Sequence, residues 1–452
     1  MPSSINDGGA LQSYKLWRVL QARIWQYFRS AMLRNASWTL SAQGLQLAGR
    51  FGYFVIAARV LGPKEFGTFV ACTALIEALS PFASFGTEKL VVKYVARDRS
   101  LLQLYVGNAL FVTAACGSVL TLLAICIRSA VLPPSATWLM LAAVALADLL
   151  GRQAVMICCN TFVAIDHFRM YTRLLVGCTA LRLLAAMVLA ISSATALKWA
   201  YLYALSTWTA ALIAIIVVIR CCGLPRFQLK LVIPSMREGF HFSTSAASQS
   251  VYNDIDKTML ARLSSLDAAA IYAVAYRFVD AAMLPVSSLA TATYPEFFRR
   301  GVHGVTASFA LARMIIRRSV FYGLGVGFVL FVGAGIVPHI MGQEYAKSIT
   351  ALRWLCVLPV IKSVHSFLTD TLTGADYQWQ RSMVQIVVAG FNILLNLWII
   401  RAYAWKGAAW SSIITDSLLV LLLYLVIHGH LKRERHEGDT RAAPPVLATG
   451  EE

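Results

Sequence analysis

The chain has 452 residues, of which 58% are hydrophobic and 14% charged, and it carries a formal net charge of +18. That balance excludes an ordinary water-soluble domain and leaves an integral membrane protein. A basic excess of this size could serve nucleic acid, but no recognition motif accompanies it, and its placement along the chain has a different explanation.

Residues 1–37 are polar and basic and do not read as a cleavable secretory signal; within them "YKLWRVLQARIWQYF" has the pattern of an amphipathic helix lying at a membrane surface. Twelve apolar runs follow, near 38–61, 65–87, 103–127, 136–165, 170–192, 198–220, 240–263, 267–295, 319–340, 348–373, 382–401 and 405–428. Each is close to the roughly 20 residues that a helix needs to cross the hydrocarbon layer. The predicted fold is therefore an all-α polytopic membrane protein. Of the Lys and Arg residues outside the spans, 25 fall on the side of the N-terminus and seven on the other: Lys64, Arg128, Lys198, Arg262, Lys347, Arg401 and Lys406. The positive-inside rule produces such a split, with both termini cytoplasmic, so the charge reports topology. The nine cysteines lie in or at the edges of spans without CxxC spacing, which reads as small apolar filler rather than a metal or redox site.

The chain aligns with itself. "AARVLGPKEFGTFVACTALIEA" (57–78) lies over "LARLSSLDAAAIYAVAYRFVDA" (260–281) at an offset of 203, and "TFVAID" (161–166) over "TLTGAD" (371–376) at 210. Two near-equal offsets in the same order predict two six-helix lobes, 38–222 and 237–430, joined by a cytoplasmic linker at 223–236 and followed by a disordered cytoplasmic tail at 431–452. Pro81 and Pro285 fall at matching places and predict kinks.

Charged residues inside the spans carry the functional signal. Each costs about 3 kcal/mol at the centre of a lipid-facing helix, so they must face protein or a watery cavity. Arg50, Arg152, Arg182, Lys257 and Arg277 come from five helices and converge near mid-depth. Arginine forks and a lysine point charge suit a polyanion such as a diphosphate. Glu77, Asp254, Asp256 and Asp280 are candidate proton or cation carriers, or balance the arginines. Counting from the turns at Gly62 and Ser264 puts Arg50 within reach of Glu77, both roughly 20 Å deep, and Asp254 within reach of Arg277. Helical spacing pairs Asp148 with Arg152, Arg277 with Asp280 and Asp254 with Lys257, and it leaves Arg182 without an acidic neighbour in its own helix. Neutral pairs that merely fix helix register are the competing explanation for any one of these.

"LAGRFGYFVIAARVLGPKEFGTFV" resembles the opening hairpin of the Wzx-type polysaccharide flippases, and the segment from "VYNDIDKTML" to "TYPEFFR" resembles the start of their second lobe. "MGQEYAKSITALRWLCVLPV" and "AYAWKGAAWSSIITD" are similar to their later hairpins. The resemblance places the chain in the multidrug/oligosaccharidyl-lipid/polysaccharide exporter superfamily. It implies a MATE-like pair of lobes around a cationic cavity, with an oligosaccharide on undecaprenyl diphosphate as cargo, carried across a bacterial inner membrane by alternating access. A polysaccharide polymerase and a chain-length regulator are implied partners, no cofactor is expected, and H+ or Na+ are candidate coupling ions. The alternatives are a cation-coupled multidrug antiporter, whose cationic substrates suit such a cavity poorly, and a membrane polymerase or ligase, for which no catalytic motif or sizeable outer loop is present.

Overall fold

The computed structural model describes the backbone of residues 8–95, 98–192 and 194–442, and side chains from Gly44 to His436 except at 96, 97, 193, 241, 242, 245, 291, 292, 295 and 435. About 90% is helical, and no strand occurs among the described residues. The first half comprises α1 (Gly8–Leu79), α2 (Thr87–Val95), α3 (Leu102–Val131), α4 (Trp138–Ala145), a π-helical turn at Leu146–Arg152, α5 (Gln153–Ala164), α6 (Phe168–Ala190) and α7 (Ala196–Cys222). The second comprises α8 (Val232–Leu263), α9 (Leu266–Ala282), α10 (Leu284–Gly301), α11 (Val305–Gly333), α12 (Val337–Met341), α13 (Ser348–Leu355), α14 (Leu358–Gly374) and α15 (Gln378–Ala442).

Two of these helices are hairpins. In α1 the break falls at Gly62, whose φ of 69° suits a residue without a Cβ, and Pro63 starts the returning arm where a missing N–H costs nothing. Phe54 and Phe66 stack edge-to-face with centroids 5.0 Å apart. Twelve residues of straight helix would separate them by roughly 18 Å, so the chain reverses. In α15 the break is at Ala404, and Asn392 Nδ2 donates to Thr415 Oγ1 at 3.1 Å across the turn.

With the two hairpins split, twelve helical passes can be traced among the described residues. Six helices are long and apolar enough to span alone, and three bent pairs raise this to nine among the described residues. Splitting the two hairpins gives eleven. The twelfth is α8, which is less apolar than the others because it carries His, Gln, Asn and many Ser and Thr residues besides Asp254, Asp256 and Lys257. The expected interfacial segment at 1–37 concerns side chains outside the described residues. α15 continues to Ala442, beyond the point where the sequence predicts a disordered tail; there Glu434 accepts from the amides of Val305 and Thr306 at 2.7 and 3.0 Å and caps α11.

The internal repeat has structural counterparts. Asp166 and Asp376, matched at offset 210, both take φ of 63°, and the residue after each donates its N–H to a carbonyl five residues back, His167 to Phe162 and Tyr377 to Leu372, each at 2.8 Å. The breaks just after Pro81 and just before Pro285 bend their spans by 43° and 46°.

One apolar cluster bridges both halves at the face opposite the termini, the far face, running from Phe54, Phe66 and Trp199 to Tyr272, Tyr345 and Leu355. At the near face the clusters are separate, one within residues 91–218 and two within the second half. The two lobes thus share one apolar core at the far face, while at the near face they meet through the start of α8, where Lys93 Nζ donates to Glu238 Oε1 at 2.5 Å and Gly239 lies against the backbone of Phe85. Gly67 lies against the backbone of Leu266 with no room for a Cβ, Tyr345 Oη donates to the Ala58 carbonyl at 2.9 Å, and Thr258 Oγ1 to the Ala71 carbonyl at 3.1 Å.

Candidate functional site

Below that seam a cavity of about 560 Å³ opens between the lobes. Arg50, Arg152, Arg182, Lys257 and Arg277 all line it, with Glu77, Asp254 and Asp280. Asp148 lines it too and is nearly fully buried.

The first-lobe wall is built around the π-helical turn. The extra residue in that turn offsets α4 from α5 and projects Arg152 toward the returning arm of α1. Its Nη2 lies 2.5 Å from Glu77 Oε2, its Nη1 3.4 Å from Oε1, and its Nε 3.5 Å from Asp148 Oδ1. Tyr203 Oη donates to both Asp148 oxygens at 2.9 and 3.1 Å. Depth matching alone pairs Arg50 with Glu77; instead Arg152 takes the Glu77 carboxylate with both terminal nitrogens. Arg50 is left on the exposed rim without an ion-pair or hydrogen-bond partner among the described residues.

Arg182, on α6, is buried at 7% exposure. Its Nε donates to Ser206 Oγ at 3.1 Å, its Nη2 to Thr207 Oγ1, and its Cζ sits 3.5 Å from the Tyr203 ring centroid and 5.7 Å from that of Tyr53. No carboxylate lies within ion-pair reach of it among the described residues. Hydroxyls and aromatic faces orient the guanidinium without neutralising it.

On the second-lobe wall, Lys257 Nζ lies 2.5 Å from Asp254 Oδ1, so Asp254 is committed to Lys257 rather than to Arg277. Arg277 lies 3.9 Å from Asp280 and 4.5 Å from the ring centroid of Phe54, across the lobe boundary. Lys257 stands 4.7 Å from the Tyr276 ring, and a second ammonium, Lys362, stands 5.0 Å from the same ring. Lys362 Nζ also donates to Asn253 Oδ1 at 2.9 Å and lies 3.8 Å from Asp416.

Asp256 is not in the cavity. It is 1% exposed and accepts from Tyr272 Oη at 2.5 Å and from the Lys257 amide at 2.8 Å, so it ties α8 to α9 behind the wall.

Asp148, Lys362 and Asp416 are charges within predicted spans, and nothing in the sequence marks Asp148 as a part of the cavity wall or Lys362 and Asp416 as a pair behind it. Tyr203 and Tyr276 carry no sequence signal that separates them from other aromatic residues. Each acid of the cavity is engaged: Glu77 and Asp148 by Arg152, Asp254 by Lys257 and Asp280 by Arg277. Arg50 and Arg182 are the cations left without a carboxylate.

The cavity between the helical lobes is thus lined by five cations and four acids. The family model "Polysaccharide biosynthesis protein" matches residues 32–300. The chain belongs to that family. Over 198 residues it is 24% identical to a "Putative O-antigen transporter" of Shigella dysenteriae, a match that covers 44% of this chain and half the length of that relative. Its fold is that of the MATE transporters of the MOP superfamily. A structure described as an inward-facing multidrug resistance MATE transporter overlays with a TM-score of 0.69 at 15% identity, covering 86% of this chain and 96% of that one. An outward-facing counterpart gives 0.58 at 15% identity, covering 89% and 96%. A MOP superfamily transporter from Pyrococcus furiosus, described as having a binding pocket of reverse polarity, gives 0.59 at 14% identity, covering 88% and 95%. This member of the polysaccharide biosynthesis family is accordingly a multi-pass membrane protein with two MATE-like lobes around a central cavity.

Proposed function

We propose that the protein is a flippase that moves undecaprenyl-diphosphate-linked oligosaccharide units from the cytoplasmic to the periplasmic leaflet of a bacterial inner membrane, with both termini cytoplasmic. One observation carries the reading: Arg182 is buried in a cavity between two lobes, fixed by Ser206, Thr207 and Tyr203, with no carboxylate in ion-pair contact among the described residues. An arginine held in that way favours an anion with forked acceptors, such as a phosphate group. The cargo would enter from the face of the termini, where the apolar clusters of the two lobes are separate, and the diphosphate would meet Arg50 at the exposed rim before Arg182 inside. Closing the near face while the far-face seam opens would release it to the other leaflet.

Membership in the polysaccharide biosynthesis family, and the name of the Shigella relative, support an oligosaccharide cargo destined for exopolysaccharide, capsule or O-antigen. A polymerase and a chain-length regulator would then act on the product, and H+ or Na+ remain the candidate coupling ions. Cation-coupled multidrug antiport, suggested by the description of a MATE neighbour as a multidrug resistance transporter, is less well supported, because a cationic drug needs a free carboxylate and every cavity acid here already lies within 4 Å of a cation. The test is polymer export in cells carrying Arg50→Gln with Arg182→Gln. Loss of export with lipid-linked units accumulating on the cytoplasmic side is expected, at unchanged membrane insertion; full export would refute the reading.

A further inference from the structure

A second cleft, of about 520 Å³, lies at the far face on the other side of the seam. Arg59 and Lys64 contribute from the first hairpin, and Lys347, Glu344 and Asp267 from the second lobe, so the cleft spans the boundary that must open during transport. The three cations outnumber the two acids. None of the three makes an ion pair within 4 Å among the described residues, and all three side chains are exposed. Arg59 donates only to an uncharged group, the His339 carbonyl, at 2.5 Å. Basic residues are scarce on this face, where the sequence places seven outside the spans, and two of those seven, Lys64 and Lys347, stand in this one cleft.

Chance scatter does not concentrate unpaired cations on the side that topology depletes of them. Their electrostatic effect is focused by the cleft walls and by the apolar seam beneath, which excludes water from one side. Glu344 stands above Gly62, where a Cβ would approach its Oε2 to 3.0 Å, and makes no ion pair with either lysine among the described residues. Gly62, with its positive φ, leaves that carboxylate its place against the hairpin.

We propose that this cleft is a second anion station, which receives the phosphate group of the cargo as the seam opens, and that Arg59 links arrival to opening. The Arg59–His339 bond closes the seam on the cleft side. A phosphate oxygen is a stronger acceptor for a guanidinium than a neutral carbonyl. Phosphate reaching the cleft therefore draws Arg59 away from His339 and favours the open seam, while Lys64 and Lys347 complete the ligand set from opposite lobes. The cavity reading supplies the anionic cargo, but the cleft's affinity for phosphate can be measured apart from it.

The experiment is calorimetric titration of inorganic pyrophosphate into the purified full chain in lipid nanodiscs. Wild type is expected to bind two equivalents with affinity that falls as salt rises. Lys64→Gln with Lys347→Gln is expected to lose one equivalent, and Arg182→Gln the other. If the double variant is recovered poorly, either single variant should weaken one of the two sites about tenfold, the loss expected for one charge-assisted hydrogen bond. Titration of the lysine variants indistinguishable from wild type overturns the proposal. Loss of an equivalent in the lysine variants, with Arg182→Gln titrating like wild type, supports the far-face station and counts instead against the cavity assignment.

Discussion

Arg152 holds Glu77 with both terminal nitrogens, at 2.5 and 3.4 Å, while its Nε faces Asp148 at 3.5 Å. One guanidinium thus serves two carboxylates from two helices, and the first-lobe wall keeps its remaining positive charge at Arg50 and Arg182. The pair is about a third exposed on each side, so solvent screens it.

A double-mutant cycle measures this pairing. Glu77→Gln should lower stability by about 1 kcal/mol, and Arg152→Gln by more, because Asp148 then keeps only Tyr203. The double variant should be more stable than the sum of the two losses predicts. Thermal unfolding midpoints in one detergent report all three, and strict additivity would show that the two groups do not interact.

Lys362 and Asp416 are 11% and 4% exposed at the side chain. Lys362→Met leaves Asp416 a buried carboxylate without its cation and should cost about 3 kcal/mol or more. Adding Asp416→Leu removes the stranded charge and should recover most of that loss. A double variant as unstable as the single one would mean that the pair is not what Lys362 contributes.

Gly67 permits the tightest far-face approach, its Cα facing the backbone of Leu266. Gly67→Leu should force the lobes apart there, shift the population toward the outward-open form and make far-face positions such as Ala58 more accessible to solvent. Hydrogen exchange of residues 56–60 and 268–275 reads the change. Exchange at the wild-type rate would show that the far-face seam tolerates the side chain.

The sequence makes the fold legible where one physical signal dominates. Apolar run length exposes the passes, and offsets of 203 and 210 foreshadow the matched φ values of Asp166 and Asp376 and the similar bends beside Pro81 and Pro285. Convergence of the five cations is also legible, because each is too costly to face lipid. Their pairing is not. Depth counting along α1 compares only Arg50 with Glu77, and it does not foresee that Arg152, from the π-helical turn at Leu146–Arg152 on another helix, takes that carboxylate. Asp256 shows the same limit: helical spacing turns it away from Lys257, but that its partner would be Tyr272 on the next helix depends on a packing contact with no sequence signature.

The central claim is that Arg182, unpaired and prepositioned, reads the diphosphate of the cargo. Direct binding of a lipid-linked oligosaccharide to the purified full chain tests it, comparing diphosphate-linked with monophosphate-linked forms of one oligosaccharide. Wild type should prefer the diphosphate by about tenfold, consistent with one additional charge-assisted contact, and Arg182→Gln should abolish that preference while Ser206 and Thr207 stay in place. An Arg182→Gln protein that retains the full preference would contradict the account.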